Sequence, residues 1–146
     1  MMLVKELPDH HDADLVLKLY DLRREHVMRE SRSAINSKFW PKSYEELVAL
    51  TKPDGPLNAA FRQTSTYWEM VYGMGRHGIV NVDFLLENSG EGLFLFARVQ
   101  PYLDKLREAG NPRAFRNAEW ISKENATGRE MLQHYKARVA KLMESK

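Results

Sequence analysis

Hydrophobic residues recur at steps of three and four along most of this chain, which is the spacing of one face of an α-helix. The clearest such stripe is formed by Leu57, Phe61, Thr64, Trp68, Val71 and Gly75. It predicts a helix of about five turns with one face in the core. We expect Gly75 or Gly78 to end this helix, because glycine readily takes the left-handed conformation found just after helices.

The first third of the chain predicts one long helix and one short helix. Asp9 follows Pro8 and can cap a helix that continues to about Ile35. The second half of this segment is heavily charged, so we expect only the first half to pack deeply. Ser43 and Glu46 form a capping box, which predicts a second helix over residues 44–50.

The remaining segments also favour helices. Asn81 can cap a short helix over residues 82–87. Residues 93–99 fit either a strand or a helix, and the apolar stripe that continues to Ala109 favours a helix with a kink at Pro101. Pro112 is placed to open the next helix. The cap of the last helix is Thr127 or Asn125.

Together these elements predict one all-α domain that spans residues 1–146. We expect about six or seven helices in a bundle-like arrangement. The chain of 146 residues has the usual size of one domain.

Charge and cysteine content exclude several classes of function. The net charge is only +2, and the basic excess lies in residues 111–146, where Arg129, Lys136, Arg138 and Lys141 could face a phosphate backbone. A basic helix of this kind is more typical of a solvated face, so we expect no nucleic-acid partner.

The chain has no cysteine, which removes disulfides and thiolate metal sites. Its beginning lacks the apolar core of a signal peptide, and no apolar run could cross a bilayer. We therefore expect a cytoplasmic protein without a membrane partner.

Gly73, Gly75 and Gly78 match the GxGxxG pattern of dinucleotide-binding loops. That interpretation needs a strand over residues 66–72 and a helix that opens within the glycine loop. The apolar stripe instead passes through Trp68 without a break, and the next helix begins only after Asn81. The pattern therefore favours a helix stop, and we expect no cofactor.

The candidate catalytic and metal-binding residues are few. Glu69 lies in the middle of the long helix, where a cleft beside Trp68 would raise its pKa. His26 and Glu30 are four residues apart, which suits an acid–base pair or an ion pair on a helix surface. His10 and His11 are metal-ligand types, although adjacent positions on a helix suit no compact metal site. We expect His10 and His11 to be solvated and no metal to bind.

Three features stand out in the segment from Phe61 to Phe115. They are the pair Trp68-Glu69, the turn and helix start over residues 78–83, and a proline–apolar–arginine helix over residues 101–107. In these features the chain resembles a bacterial family of small helical proteins classed as domains of unknown function. The resemblance implies a helical fold and a bacterial cytoplasmic setting. It implies no activity, cofactor or catalytic residue.

The sequence favours a non-catalytic module that contacts other proteins and forms a homodimer. Aromatic and methionine side chains are abundant on several helix faces, and short helices leave part of this apolar surface to be covered by a second copy. The alternative is a small-molecule or metal-dependent enzyme with a site between helices, which would use Glu69, His26 and Glu30.

Overall fold

The computed structural model describes residues 4–146 and confirms the all-α fold. These residues form nine α-helices and one short 3-10 helix, with no strand. This count exceeds the six or seven helices predicted. The first predicted helix is broken at Glu25, and the predicted helix that contains Pro101 is divided in two. The α-helices are α1 (His10–Arg24), α2 (His26–Lys38), α3 (Tyr44–Thr51), α4 (Asn58–Arg76), α5 (Val82–Asn88), α6 (Glu91–Val99), α7 (Leu103–Glu108), α8 (Arg116–Glu124) and α9 (Ala126–Met143).

The break between α1 and α2 lies at Glu25, which the periodicity did not predict. Its backbone leaves the helical region, with φ −59° and ψ 144°. Its side chain accepts hydrogen bonds from the backbone N–H groups of Val27 and Met28, so Glu25 caps the new helix. The expectation that the second half of this segment packs only shallowly is wrong, because Met28 and Ile35 are buried in the core.

Helix α4 lies at the centre of the fold and confirms the longest predicted stripe. Trp68, Val71 and Gly75 are buried in its contacts with neighbouring helices. The helix ends at Arg76, and Gly78 then takes a left-handed φ of 72°. Residues 66–72 are helical, so the strand that a dinucleotide-binding loop requires is absent.

Residues 91–99 are helical, and α6 is the most deeply buried helix of the described chain. Eight of its nine residues are buried, which explains why its apolar run shows no alternation between an inner and an outer face. Pro101 lies in a 3-10 helix formed by Gln100–Tyr102 and separates α6 from α7. The disturbance thus lies at the predicted proline, but it divides the one predicted kinked helix into α6 and α7.

Local capping residues fix the other helix starts. The side chains of Asp9, Ser43, Asn81 and Asn125 each accept a hydrogen bond from a backbone N–H group of the helix that follows. The last helix is therefore capped by Asn125 and not by Thr127. Helix α8 begins later than Pro112 suggested, after a turn in which Phe115 has a left-handed φ of 54°.

One hydrophobic cluster runs through the described residues and receives side chains from nearly all the helices. Within residues 4–146, no helix combines the length and the apolar character needed to cross a bilayer.

Candidate functional site

Glu69 connects the centre of α4 to the beginning of α8. Its carboxylate oxygens accept hydrogen bonds from the backbone N–H groups of Asn117 at 2.9 Å and Ala118 at 2.8 Å. The Asn117 side chain returns a hydrogen bond to the Glu69 carbonyl oxygen at 3.0 Å. These N–H groups lie in the first turn of α8 and have no partner within that helix. Glu69 therefore caps α8 from another helix, and its negative charge lies at the positive end of the helix dipole.

A pocket of about 210 Å³ opens beside this contact, and we call it the arginine pocket. It is lined by Glu69, Arg76, His77, Arg113, Arg116 and Asn117. Three arginines and one glutamate thus line the same pocket. The predicted candidate Glu69 lies in a pocket, but the residues around it come from two segments that are about 40 positions apart in sequence. Helical periodicity carries no signal that would bring them together.

Burial raises the pKa of the Glu69 carboxyl above its ordinary value. The two backbone N–H groups of α8 oppose this rise because they stabilise the ionised form. Nearby arginines, Arg107 and Arg76, oppose it as well. Desolvation is the strongest of these effects, as expected for a carboxylate between two packed helices.

Trp68 does not form the wall of the pocket at Glu69. Its ring lies under the buried guanidinium of Arg23, 5.3 Å from the ring centroid, and it stacks on Tyr72. Adjacent residues on a helix point about 100° apart. The pair Trp68-Glu69 is therefore divided between two interfaces of α4, with Trp68 toward α1 and Glu69 toward α8.

His26 and Glu30 form an ion pair on the surface of α2. The Nε2 atom of His26 lies 3.2 Å from a carboxylate oxygen of Glu30, and both side chains are 70% exposed. No hydrogen bond or salt bridge of residues 4–146 joins this pair to Glu69. The structure thus places the three candidate catalytic residues in two separate sites.

His10 and His11 are exposed at the beginning of α1, with their ring centroids 4.5 Å apart. The acid that follows them, Asp12, is only 1% exposed. Its oxygens accept hydrogen bonds from the Lys5 ammonium group at 2.6 Å and from the backbone N–H of Asn81 at 3.0 Å. Asp12 therefore connects the first turn of α1 to Asn81, the residue that caps α5. Among residues 4–146, no group of three His, Asp or Glu side chains could hold a metal ion together.

A second pocket, of about 430 Å³, lies between α2, α6 and α9, and we call it the aromatic pocket. It is lined by Asn36, Trp40, Glu91, Phe94, Tyr135, Arg138, Leu142 and Lys146. The guanidinium of Arg138 lies 5.2 Å from the centre of the Phe94 ring, and the Lys146 ammonium group lies 4.7 Å from that of Trp40. Both cations thus cover aromatic rings of the pocket wall.

Arg98 lies beneath the aromatic pocket and is only 3% exposed. Its Nη1 atom donates to the carbonyl oxygens of Ile35 at 2.9 Å and Phe39 at 3.0 Å. Its Nε atom donates to the carbonyl oxygen of Phe94, and its Nη2 atom donates to the side-chain amide oxygen of Asn36. Burial lowers the pKa of Arg98 to about 10. The guanidinium satisfies carbonyl groups at the end of α2, where the helix dipole favours a positive charge.

The basic residues of the last helix are exposed at its surface. Arg129, Lys136, Arg138 and Lys141 all lie on α9. Arg129 donates a hydrogen bond to the Lys123 carbonyl oxygen at 2.7 Å, and Arg138 covers the Phe94 ring. Two of the four cations are thus held against the protein itself.

We expect Glu69→Ala to lower the free energy of unfolding by about 2 kcal/mol, because two backbone N–H groups of α8 lose their acceptor. Urea denaturation measures this loss. Glu87→Ala is the matched control, since Glu87 is exposed on α5 and makes no side-chain hydrogen bond to residues 4–146. Equal stability of the two variants would show that the cap contributes nothing.

These contacts define a class of protein: a small all-α domain with a polar, arginine-lined pocket between two central helices. A family model for a domain of unknown function, DUF4760, matches residues 8–124. The chain therefore belongs to this family, which confirms the predicted resemblance to a domain of unknown function. The match extends from α1 to the end of α8 and leaves α9 outside. No curated protein and no solved structure matches the chain.

Proposed function

We propose that this domain is a non-catalytic interaction module that forms a homodimer through the exposed face of α1. The observation that carries the proposal is the exposure of two large apolar side chains, Leu17 at 66% and Tyr20 at 53%. They are three residues apart and therefore neighbours on one face of the helix. Exposed apolar side chains grouped in this way are typical of protein contact surfaces.

The charges beside this face suit a second copy of the same chain. Asp14 is exposed near the start of α1, and Arg24 is exposed at its end. In a two-fold symmetric dimer with antiparallel α1 helices, each Asp14 faces Arg24 of the second copy. Helix α1 thus carries both the acidic and the basic residue of the contact. An unrelated partner would need matching charges of its own.

An enzyme that uses Glu69, His26 and Glu30 has less support. Both carboxylate oxygens of Glu69 are occupied by α8, and the pair of His26 and Glu30 lies on an open helix surface. A general acid or base has to reach the proton that it transfers, within a site that also positions the substrate. We also propose a bacterial cytoplasmic setting, which the resemblance implies, and the lack of cysteine fits a reducing compartment.

We expect light scattering to give twice the monomer mass at high micromolar concentration. We expect Leu17→Lys to raise the dissociation constant about tenfold or more, because an ammonium group in the middle of the contact would be desolvated. Met70→Lys is the matched control, since Met70 is an exposed apolar residue on α4. A wild-type protein that stays monomeric would refute the proposal, as would Leu17→Lys and Met70→Lys variants with equal affinity.

A further inference from the structure

The arginine pocket contains positive charge that the described protein does not balance. No carboxylate oxygen of residues 4–146 lies within 4.0 Å of the guanidinium groups of Arg76, Arg113 or Arg116. Arg113 and Arg116 are exposed and donate no side-chain hydrogen bond within these residues. Three arginines whose guanidinium groups keep free donors therefore line one opening between α4 and α8.

One of these arginines also has a buried donor without an acceptor. The Nη1 atom of Arg76 donates to the Asn117 side chain at 3.2 Å. Its Nε atom is buried and has no hydrogen-bond partner. Buried donors in proteins are nearly always paired, and an unpaired one on a charged group is especially costly. This donor belongs to a residue that lines the pocket.

Glu69 does not supply that acceptor, although it lines the same pocket. Its two oxygens already accept hydrogen bonds from the first turn of α8. The carboxylate compensates the positive end of the helix, and its oxygens form no salt bridge with Arg76, Arg113 or Arg116. Because those N–H groups are occupied, the arginines and not the helix terminus determine what the pocket can bind.

We propose that the arginine pocket binds a phosphate group. The guanidinium fork matches the oxygens of phosphate and can donate two parallel hydrogen bonds to them. The three arginines and Glu69 together leave two net positive charges, which match a phosphate dianion better than a single carboxylate. His77 lies at the same opening and offers a further donor. The cavity of about 210 Å³ has room for the phosphate and for little of the molecule that carries it.

The phosphate can come from inorganic phosphate or from a small phosphate monoester, and two probes distinguish these sources. The full chain is titrated with inorganic phosphate and, separately, with O-phosphoserine, in a chloride buffer of constant ionic strength. Calorimetry gives the dissociation constant. A thermal-melting series gives an independent measure, because a ligand of the native state raises the melting temperature. Tighter binding of phosphoserine identifies a monoester site, and equal affinity identifies a site for the phosphate group alone.

We expect saturable binding that Arg113→Gln and Arg116→Gln each weaken about tenfold, the cost of one charge-assisted hydrogen bond. These exposed side chains make no hydrogen bond or salt bridge within residues 4–146, so both variants should fold normally. Arg76→Gln removes the third guanidinium group of the pocket lining and should weaken binding about as much. Arg62→Gln is the control, because Arg62 is exposed on α4 outside the pocket and loses the same charge.

Absence of saturable binding to the wild-type protein would overturn the proposal. An equal loss of affinity in the Arg62→Gln, Arg113→Gln and Arg116→Gln variants would also overturn it, because the effect would then come from net charge alone. The result does not depend on self-association, since the pocket is formed by α4, α8 and the turns beside them and not by α1.

Discussion

Replacement of Arg98 by methionine is expected to lower the free energy of unfolding by about 4 kcal/mol, the largest loss that we predict for a polar residue. Methionine keeps the apolar stem but removes four hydrogen bonds. Among the acceptors left behind is the carbonyl oxygen of Phe39, a fully buried residue at the end of α2. The cation also lies 4.5 Å from the Phe94 ring centre, and this contact is lost as well.

Two opposing effects decide the sign of this change. Burial lowers the pKa of Arg98 to about 10, so the charged group carries a desolvation cost that its removal would relieve. The stabilising free energy of the hydrogen bonds exceeds this desolvation cost only if the guanidinium group donates to several acceptors at once. Arg98→Lys keeps a charge but not the fork, and we expect it to lose most of the same stability. Urea denaturation of both variants is the measurement, and a stabilised Arg98→Met variant would show that desolvation dominates.

Replacement of Gly128 by alanine is expected to lower the free energy of unfolding by about 3 kcal/mol. Inside a helix the same change usually stabilises by about 1 kcal/mol, because alanine has the higher helix propensity. Here an added Cβ would overlap the backbone carbonyl oxygen of Ile121 and lie 2.9 Å from its carbonyl carbon. The obstacle is backbone at the end of α8, so no side-chain rotation can relieve the overlap.

A graded control tests this explanation. At Gly73 an added Cβ would come within 2.8 Å of the Asn117 amide nitrogen, which belongs to a side chain that can shift at the cost of its hydrogen bond to the Glu69 carbonyl oxygen. We therefore expect Gly73→Ala to cost clearly less than Gly128→Ala in the same urea or thermal series. If Gly128→Ala were neutral or stabilising, α8 and α9 would have room to separate, and the close approach would not constrain the fold.

The parts of the fold that were predicted correctly depend on residues close together in the sequence. The caps at Asp9, Ser43 and Asn81 each accept a hydrogen bond from a backbone N–H two or three residues further on. The stop at Gly78 depends on the conformation of a single residue. Such features can be inferred from sequence because the chemistry and the partner lie within one turn.

The break at Glu25 shows where this reasoning fails. No proline or glycine marks it, and the apolar spacing continues across it. A glutamate cap is also unusual, since shorter polar side chains normally fill this position. Helix α1 packs against α5 and helix α2 packs against α4, so the two halves of this segment make different tertiary contacts. Local propensity contributes less than these tertiary contacts.

The candidate site was predicted only in part for a similar reason. Glu69 could be singled out as a carboxylate in the middle of a helix, but its partners Asn117 and Ala118 are nearly 50 residues further along the chain. The arginine pocket adds Arg76 from α4 and Arg113 from the turn before α8. Nothing in either segment indicates that these cations converge.

The sequence by itself determined that this protein is helical and where most of its helices begin and end, because apolar spacing and capping are local properties. Only the tertiary structure decided which polar groups meet. It turned Glu69 into the cap of a distant helix, buried Arg98 under aromatic rings, and left three arginines around one opening without a carboxylate partner among residues 4–146. Those arrangements depend on how helices that are far apart in the sequence pack together. The spacing of apolar and capping residues along the chain does not encode this packing.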